Sequence, residues 1–322
     1  YVALAKNEIA TNQGFKSLIL KDNNDPIFFY YLLKNITPQI KSFASGSTFQ
    51  EISGKVLSTI PIKIPNTIIQ KRIGEFVEKF DKKIELNKKN NETLEDIAKS
   101  LFKSWFIDFD PVKAKAEGRS TGLPNEISDL FPDSFEDSEL GKIPVNFSVS
   151  NIGQVSNFIN GFSFSSKDWQ SQGTGVVKIG SISPGLVDIS KLSYVSDHFL
   201  ESHKKYKLFS GDIVIGMTGA YLGQVGMIPI VEKPLLLNQR TGKFAMKDEN
   251  ILSKSFLFNL MNNHKFNQSV ESLSYGSAQH NVSGNDIGTI KFIKPTIKIN
   301  KVFASIGKSI IDKTLTNHNE IS

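Results

Sequence analysis

Residues 46–65 read GSTFQEISGKVLSTIPIKIP, and residues 276–295 read GSAQHNVSGNDIGTIKFIKP. The second stretch follows the first at a constant offset of 230, without a gap. Seven positions are identical: Gly46/Gly276, Ser47/Ser277, Ser53/Ser283, Gly54/Gly284, Thr59/Thr289, Ile60/Ile290 and Pro65/Pro295. Others are conservative, such as Ile52/Val282. A period this long means duplicated domains and not a solenoid. Two similar surfaces in one chain suit a target made of two parts.

A helical pattern follows each copy. After Pro65, Ile73, Val77, Phe80, Ile84, Asn87, Asn91, Leu94, Ala98, Leu101 and Trp105 alternate at steps of four and three. That is a heptad seam, predicting about 50 Å of helix at ~1.5 Å per residue. Lys and Glu interleave off the seam and read first as a solvated face. After Pro295 the matching positions are Phe303, Gly307, Ile310, Thr314, Asn317 and Ile321. Asn87 and Asn317 are equivalent under the offset, and an Asn in a seam can fix register. Antiparallel pairing of the two helices satisfies both stripes, with Ile73, Val77, Phe80, Ile84, Leu94, Leu101, Phe303 and Ile310 as pairing residues. Pairing with a second copy of the chain would satisfy them too.

Organisation outside the seam follows composition. The 322 residues carry net charge +6, with 39% hydrophobic and 22% charged residues, as in globular proteins. Four Lys/Arg against nine Asp/Glu in residues 106–142 make that stretch acidic, so the rest carries +11. A basic body with one acidic strap suits a polyanionic partner. Pro and Gly punctuate the strap, yet Leu123, Ile127, Leu130, Phe131, Phe135 and Leu140 predict that it lies on the body. Short β-rich runs at 175–179 and 212–217 and a helical segment at 253–273 complete a second module. The counterpart of that segment is residues 26–43, and Asn12-Gln13 matches Asn238-Gln239. Only eleven residues precede Asn12, so the first module is expected to lack its front half and the last helix its end. No apolar run is long enough for a membrane span, and the first residues do not read as a signal peptide. Zero cysteines exclude disulfides and thiolate metal sites and agree with a cytoplasmic setting.

Catalytic chemistry has no anchor. The five histidines are scattered without metal-ligand spacing, and neither a phosphate loop nor G-x-G-x-x-G occurs. The amino-methyltransferase signature [DNS]-P-P-[FYW] and a PD…(D/E)xK nuclease core are absent as well. We therefore expect no catalytic residue and no metal site. What remains is a recognition surface. Gly216–Gly223 is a Gly-rich loop presenting Thr218 and Tyr221, or simply a hairpin whose glycines permit turns. Asn238-Gln239-Arg240 carries amide and guanidinium groups able to bond base edges, with Arg240 as the leading candidate. A structural role is open for the Asn-Gln step, because it recurs. Tyr275, Ser277, Gln279 and His280 form a polar loop whose copy holds Thr48 and Gln50. Lys178 and Lys167 are further cationic candidates, and Trp169 reads first as a core residue.

In this order the motifs resemble one family. They are Tyr206–Gly219 (YKLFSGDIVIGMTG), the repeated block entering a long helix, Gln70–Ile73, Leu101–Pro111 (LFKSWFIDFDP) and Gly141–Pro144. The chain resembles the DNA-specificity (S) subunit of Type I restriction–modification systems over essentially its whole length. The resemblance implies an α+β fold: two pseudo-repeated α/β target-recognition domains, the first incomplete, separated by long antiparallel coiled-coil helices. Residues 1–65 would be the C-terminal part of domain one, 66–107 the central helix, 108–142 the acidic connector, 143–295 domain two and 296–322 the second helix. It further implies a bipartite double-stranded DNA target and no catalysis by this chain. Partners would be adenine methyltransferase subunits, holding S-adenosylmethionine, and an ATP- and Mg-dependent restriction and translocase subunit. A free-standing dimeric DNA-binding or coiled-coil scaffold protein, and the recognition end of a fused enzyme, are the alternatives.

Overall fold

The computed structural model describes residues 1–21, 23–44, 51–274 and 281–321. The chain divides into two compact units, Tyr1–Leu86 and Asn87–Ser322.

In the first unit, helix α1 (Pro26–Asn35) starts where the Asp25 carboxylate accepts the Phe28 N–H at 2.7 Å and Pro26 fixes the first turn. Helices α2 (Thr37–Ser42) and α3 (Gly54–Leu57) follow, then the long helix α4 (Thr67–Phe106). Gln70 of α4 is buried: its carbonyl oxygen accepts the Asp25 N–H, and its amide donates to Asn24 and to the Pro65 carbonyl. One turn on, a side chain at Gly74 would stand 3.0 Å from the Phe28 nitrogen, so a glycine there lets α1 lie close. Tyr31 of α1 donates to Asp81 at 2.9 Å.

The second unit starts inside α4. Helices α5 (Asp110–Ala116) and α6 (Asn125–Ser128) and the hairpin β1 (Phe135–Ser138)–β2 (Gly141–Pro144) occupy the acidic stretch. As expected it lies on the body: Phe109, Val112 and Phe131 are core residues. Strand β3 (Ser148–Asn151), helix α7 (Ile152–Val155), strand β4 (Ser156–Asn160), β5 (Trp169–Gln170), β6 (Thr174–Val177), β7 (Gly185–Leu186) and β8 (Ser193–Val195) follow. Next come α8 (His198–Ser202), β9 (Lys207–Leu208), β10 (Ile213–Gly216), β11 (Val225–Met227), β12 (Leu235–Leu237) and β13 (Thr241–Met246). The single helical segment expected at 253–273 is two helices, α9 (Lys254–Met261) and α10 (His264–Ser274), and the matching segment of the first copy is likewise split into α1 and α2. Helix α11 (Gly284–Gly288), strand β14 (Lys291–Lys294) and helix α12 (Ile297–Asn319) end the chain.

Two mixed five-stranded sheets result, ordered β4-β13-β10-β11-β7 and β5-β8-β6-β12-β9, with β14 paired to β3 apart from them. Strands β6, β10, β11 and β12 are buried throughout, which fits their unbroken apolar runs. The chain passes between the sheets at Ser210–Asp212 and again at Asn238–Arg240.

The main core joins the helices to this module. Phe106 packs on Phe256 and Phe303 with ring centroids 4.9 and 5.1 Å apart, and Trp105 on Phe131 at 5.1 Å. The aromatic run Leu101–Phe106 is thus the plug that fixes the module to the stem. Helix α12 runs antiparallel to the second half of α4: Phe102 meets Phe303, Asn91 accepts from the Asn317 amide at 2.8 Å, and Asn87 donates to Glu320 at 2.9 Å. The two asparagines expected to set register therefore each bond across the helix pair, Asn87 to Glu320 and Asn317 to Asn91.

Candidate nucleic-acid interface

Buried strands deliver the candidate residues to the surface. Strand β6 is covered along its length and the chain emerges at half-buried Lys178. The Lys178 ammonium sits 3.7 Å above the Trp169 ring, whose neighbour Phe164 lies 5.5 Å away. Trp169 is half-buried, so it belongs to the edge of a core, with a lysine as its lid.

The crossover from β12 to β13 separates framework from display. Asn238 is buried: its N–H donates to the Val177 carbonyl at 3.2 Å, and its own carbonyl accepts from the Thr241 N–H and hydroxyl. Gly161 presses on the same carbonyl so closely that any side chain there would overlap it. Gln239 and Arg240 are exposed. The structural role left open for Asn238 is therefore the observed one, while its two neighbours face outward.

The Gly-rich loop is the tip of the β10–β11 hairpin, with Ile215 opposite Val225. Across its neck Gly223 donates to the Gly216 carbonyl and Gly216 to the Gln224 carbonyl, and Gly223 has φ +77°, a conformation that favours glycine. Gly219 and Ala220 are exposed, as is Tyr221 at 39%. Thr218 is half-buried and bridges antiparallel to Asn281.

Four segments are stitched into one rim by their backbones. Asn238 bonds Val177, Met217 donates to the Arg240 carbonyl at 3.1 Å, and Val282 donates to the Met217 carbonyl at 3.2 Å. Lys178, Thr218, Tyr221 and Arg240 are thereby carried on one hydrogen-bonded framework. Thr48, Gln50, Tyr275, Ser277, Gln279 and His280 lie outside the described residues. Asn281, where the polar loop re-enters the described chain, adjoins Thr218. Lys178 and Arg240 have no carboxylate partner among the described residues, unlike Lys243 nearby, whose ammonium is 2.6 Å from Asp212. The rim thus offers two cations without carboxylate partners among the described residues, beside exposed amide and hydroxyl groups. Sequence reasoning did not find the Lys178–Trp169 stack, because a cation and a ring from different strands share no local spacing.

The helix-pairing residues are used unequally. Phe303 is buried, and Leu94, Leu101 and Ile310 are half-buried along the antiparallel stretch. Val77 and Ile84 are half-buried, whereas Ile73 and Phe80 are 40% and 58% exposed. Within the second unit the pairing of α4 with α12 includes Asn87, which bonds Glu320. No group of three or more His, Cys, Asp or Glu able to hold a metal occurs among the described residues. No described helix is long and apolar enough to cross a membrane.

Known proteins give this geometry a context. A family model described as "Type I restriction modification DNA specificity domain" matches residues 1–96 and 144–322. The specificity subunit of Type I restriction enzyme MjaIX from Methanocaldococcus jannaschii is 42% identical over 156 residues, 48% of this chain and 35% of that one. The MjaVIII specificity subunit of the same organism is 26% identical over 289 residues, 89% of this chain and 63% of the relative. The HindI specificity subunit of Haemophilus influenzae is 26% identical over 351 residues, covering 94% and 75%. The chain thus spans 35% and 63% of the lengths of the two archaeal relatives. Among solved structures, the S subunit of a Type I restriction–modification system from M. genitalium aligns with TM-score 0.57 at 16% identity. It covers 93% of this chain and 69% of that one, and the likeness is one of fold.

Proposed function

This chain belongs to the Type I restriction modification DNA specificity domain family, and on that premise we propose that its second unit reads one part of a bipartite double-stranded DNA site at the rim. The supporting observation is the stitched framework carrying Lys178, Thr218, Tyr221 and Arg240, with its two cations free of carboxylates. Lysine and arginine meet phosphates and supply salt-sensitive affinity, while amide, hydroxyl and guanidinium groups on rigid loops discriminate base edges. The chain itself performs no chemistry in this reading. Adenine methylation, with S-adenosylmethionine, and ATP- and Mg-dependent cleavage belong to methylation and restriction subunits in the cytoplasm.

The paired helices set the spacing between half-sites. The exposed apolar face of α4, with Ile73, Phe76 and Phe80, docks the methylation subunits. The same face also favours one alternative, a free-standing dimeric DNA-binding or coiled-coil scaffold protein. Co-purification with an adenine methyltransferase distinguishes the two, since the alternative forms only dimers of this chain.

The direct test is selection of DNA from a random pool by the chain together with its methylation subunits. A bipartite consensus is expected. Arg240→Ala should relax one half of it by about 1–3 kcal/mol of discrimination. Recovery of unrelated sequences by the unaltered complex would overturn the reading.

A further inference from the structure

A cavity of about 420 Å³ lies where the stem helices meet the second module, against the Gly-rich hairpin loop, of which Ala220, Leu222 and Gly223 line it. Such a volume is that of a small-molecule site, which typically spans roughly 300–1,000 Å³. Its walls are apolar: Ala98 from α4, Ile310 and Leu315 from α12, Leu222 and Val225 from the β10–β11 hairpin, and Phe258 from α9.

The polar groups on this lining are biased toward accepting. Asn259 and Asn262 both line it, and each donates an amide hydrogen to the carbonyl four residues back, Ser255 at 2.8 Å and Phe258 at 2.9 Å. Their carbonyl oxygens remain for other partners. Asn267 lines the cavity as well, and its side-chain oxygen is buried with no hydrogen-bond partner among the described residues. The lining also holds the Lys99 ammonium, the Gln224 amide, the Thr314 hydroxyl and two carboxylates. Glu95 is shared with Lys99 at 3.3 Å, while Glu271 is exposed and forms no ion pair among the described residues. A buried acceptor without a donor is costly unless something supplies one.

We infer that this cavity binds a short aliphatic amine: an alkyl body against the apolar walls, and an ammonium that donates to Asn267 and is neutralised by Glu271. An alcohol of the same length supplies the body and a single neutral donor. A carboxylate would meet Glu271 and the Asn267 oxygen with the wrong charge, and the Lys99 ammonium on the lining is already paired with Glu95. Because the walls come from both stem helices and the module, an occupant ties these parts together.

The test is titration of the 322-residue chain at pH 7 with n-hexylamine, n-hexanol and n-hexanoate, followed by calorimetry and by melting temperature. Hexylamine should bind about tenfold or more tightly than hexanol, the gain expected of a charge-assisted donor, hexanoate should not bind, and only the amine should raise the melting temperature clearly. Asn267→Leu and Glu271→Gln should each remove most of the preference for amine over alcohol. Ala98→Met, which fills the cavity, should abolish binding of both. Equal binding of amine and alcohol would reduce the site to an apolar void and overturn the inference, as would binding of neither. If a variant fails to fold, the comparison of the three ligands on the unaltered chain still decides. DNA recognition at the rim stands or falls separately.

Discussion

Gln70 and Asn300 do the same job in the two copies, 230 residues apart. Gln70 accepts the backbone N–H of Asp25, the residue that caps α1, at 3.0 Å; Asn300 accepts that of Ser253, the cap of α9, at 3.2 Å. Each cap in turn accepts from a phenylalanine three residues on, Phe28 and Phe256, and both phenylalanines are buried. The duplication thus extends beyond the twenty-residue block, into a clasp between long helix and module that changes residue type while keeping its bond.

Removing that clasp should be costly. In Asn300→Leu the buried N–H and hydroxyl of Ser253 lose their acceptor, and a loss of about 1–3 kcal/mol is expected for a donor left unpaired. Urea unfolding of the second unit measures it, and an unchanged midpoint would show the bond to be dispensable.

The glycines Gly54 and Gly284 are identical in the repeat but should respond differently. A methyl at Gly284 would overlap the Phe158 ring, itself packed 4.9 Å from Phe244, whereas nothing lies within 4 Å of the same position at Gly54. Gly284→Ala should cost about 1–3 kcal/mol through overpacking. Gly54→Ala, in a helix, should be neutral or stabilising by up to about 1 kcal/mol. Denaturant midpoints of the two variants provide the comparison.

The Lys243–Asp212 pair should behave as a buried one. Its side chains are 13% and 10% exposed, and Asp212 also accepts the Phe209 N–H at 2.8 Å. Lys243→Met leaves a buried carboxylate without its cation, so a loss of about 3–5 kcal/mol is expected. Adding Asp212→Asn should restore part of it, which calorimetry of single and double variants would reveal.

Alkaline pH should weaken the first unit through Tyr31. Partial burial, then its hydrogen bond to Asp81, push the Tyr31 phenol up from 10.0 to about 12. The folded state therefore holds this proton more tightly than the unfolded one. Its contribution is complete below pH 10 and is lost as pH rises toward 12. Ultraviolet tyrosine titration should show a late-ionising group that vanishes in Tyr31→Phe.

Salt should report which rim residues touch phosphate. Lys178→Ala and Arg240→Ala are each expected to lower the slope of log affinity against log salt by about 1 if they contact phosphate. An Arg240 that reads a base would instead leave the slope nearly unchanged and alter only the preferred sequence.

The linear sequence alone determined the duplication, the two helices and the equivalent seam positions of Asn87 and Asn317. These features are periodic, and a fixed spacing on one strand of chain already places residues on a common face. Tertiary structure decided which members of each pattern are covered. Ile73 and Phe303 are equivalent in the seam, yet Ile73 is exposed while Phe303 is buried against Phe102 and Phe106. Asn238 and Arg240 are neighbours, yet one is held by Val177 and the other is free to meet a partner. Burial is set by what arrives from distant parts of the chain, and that arrival leaves no mark in local spacing.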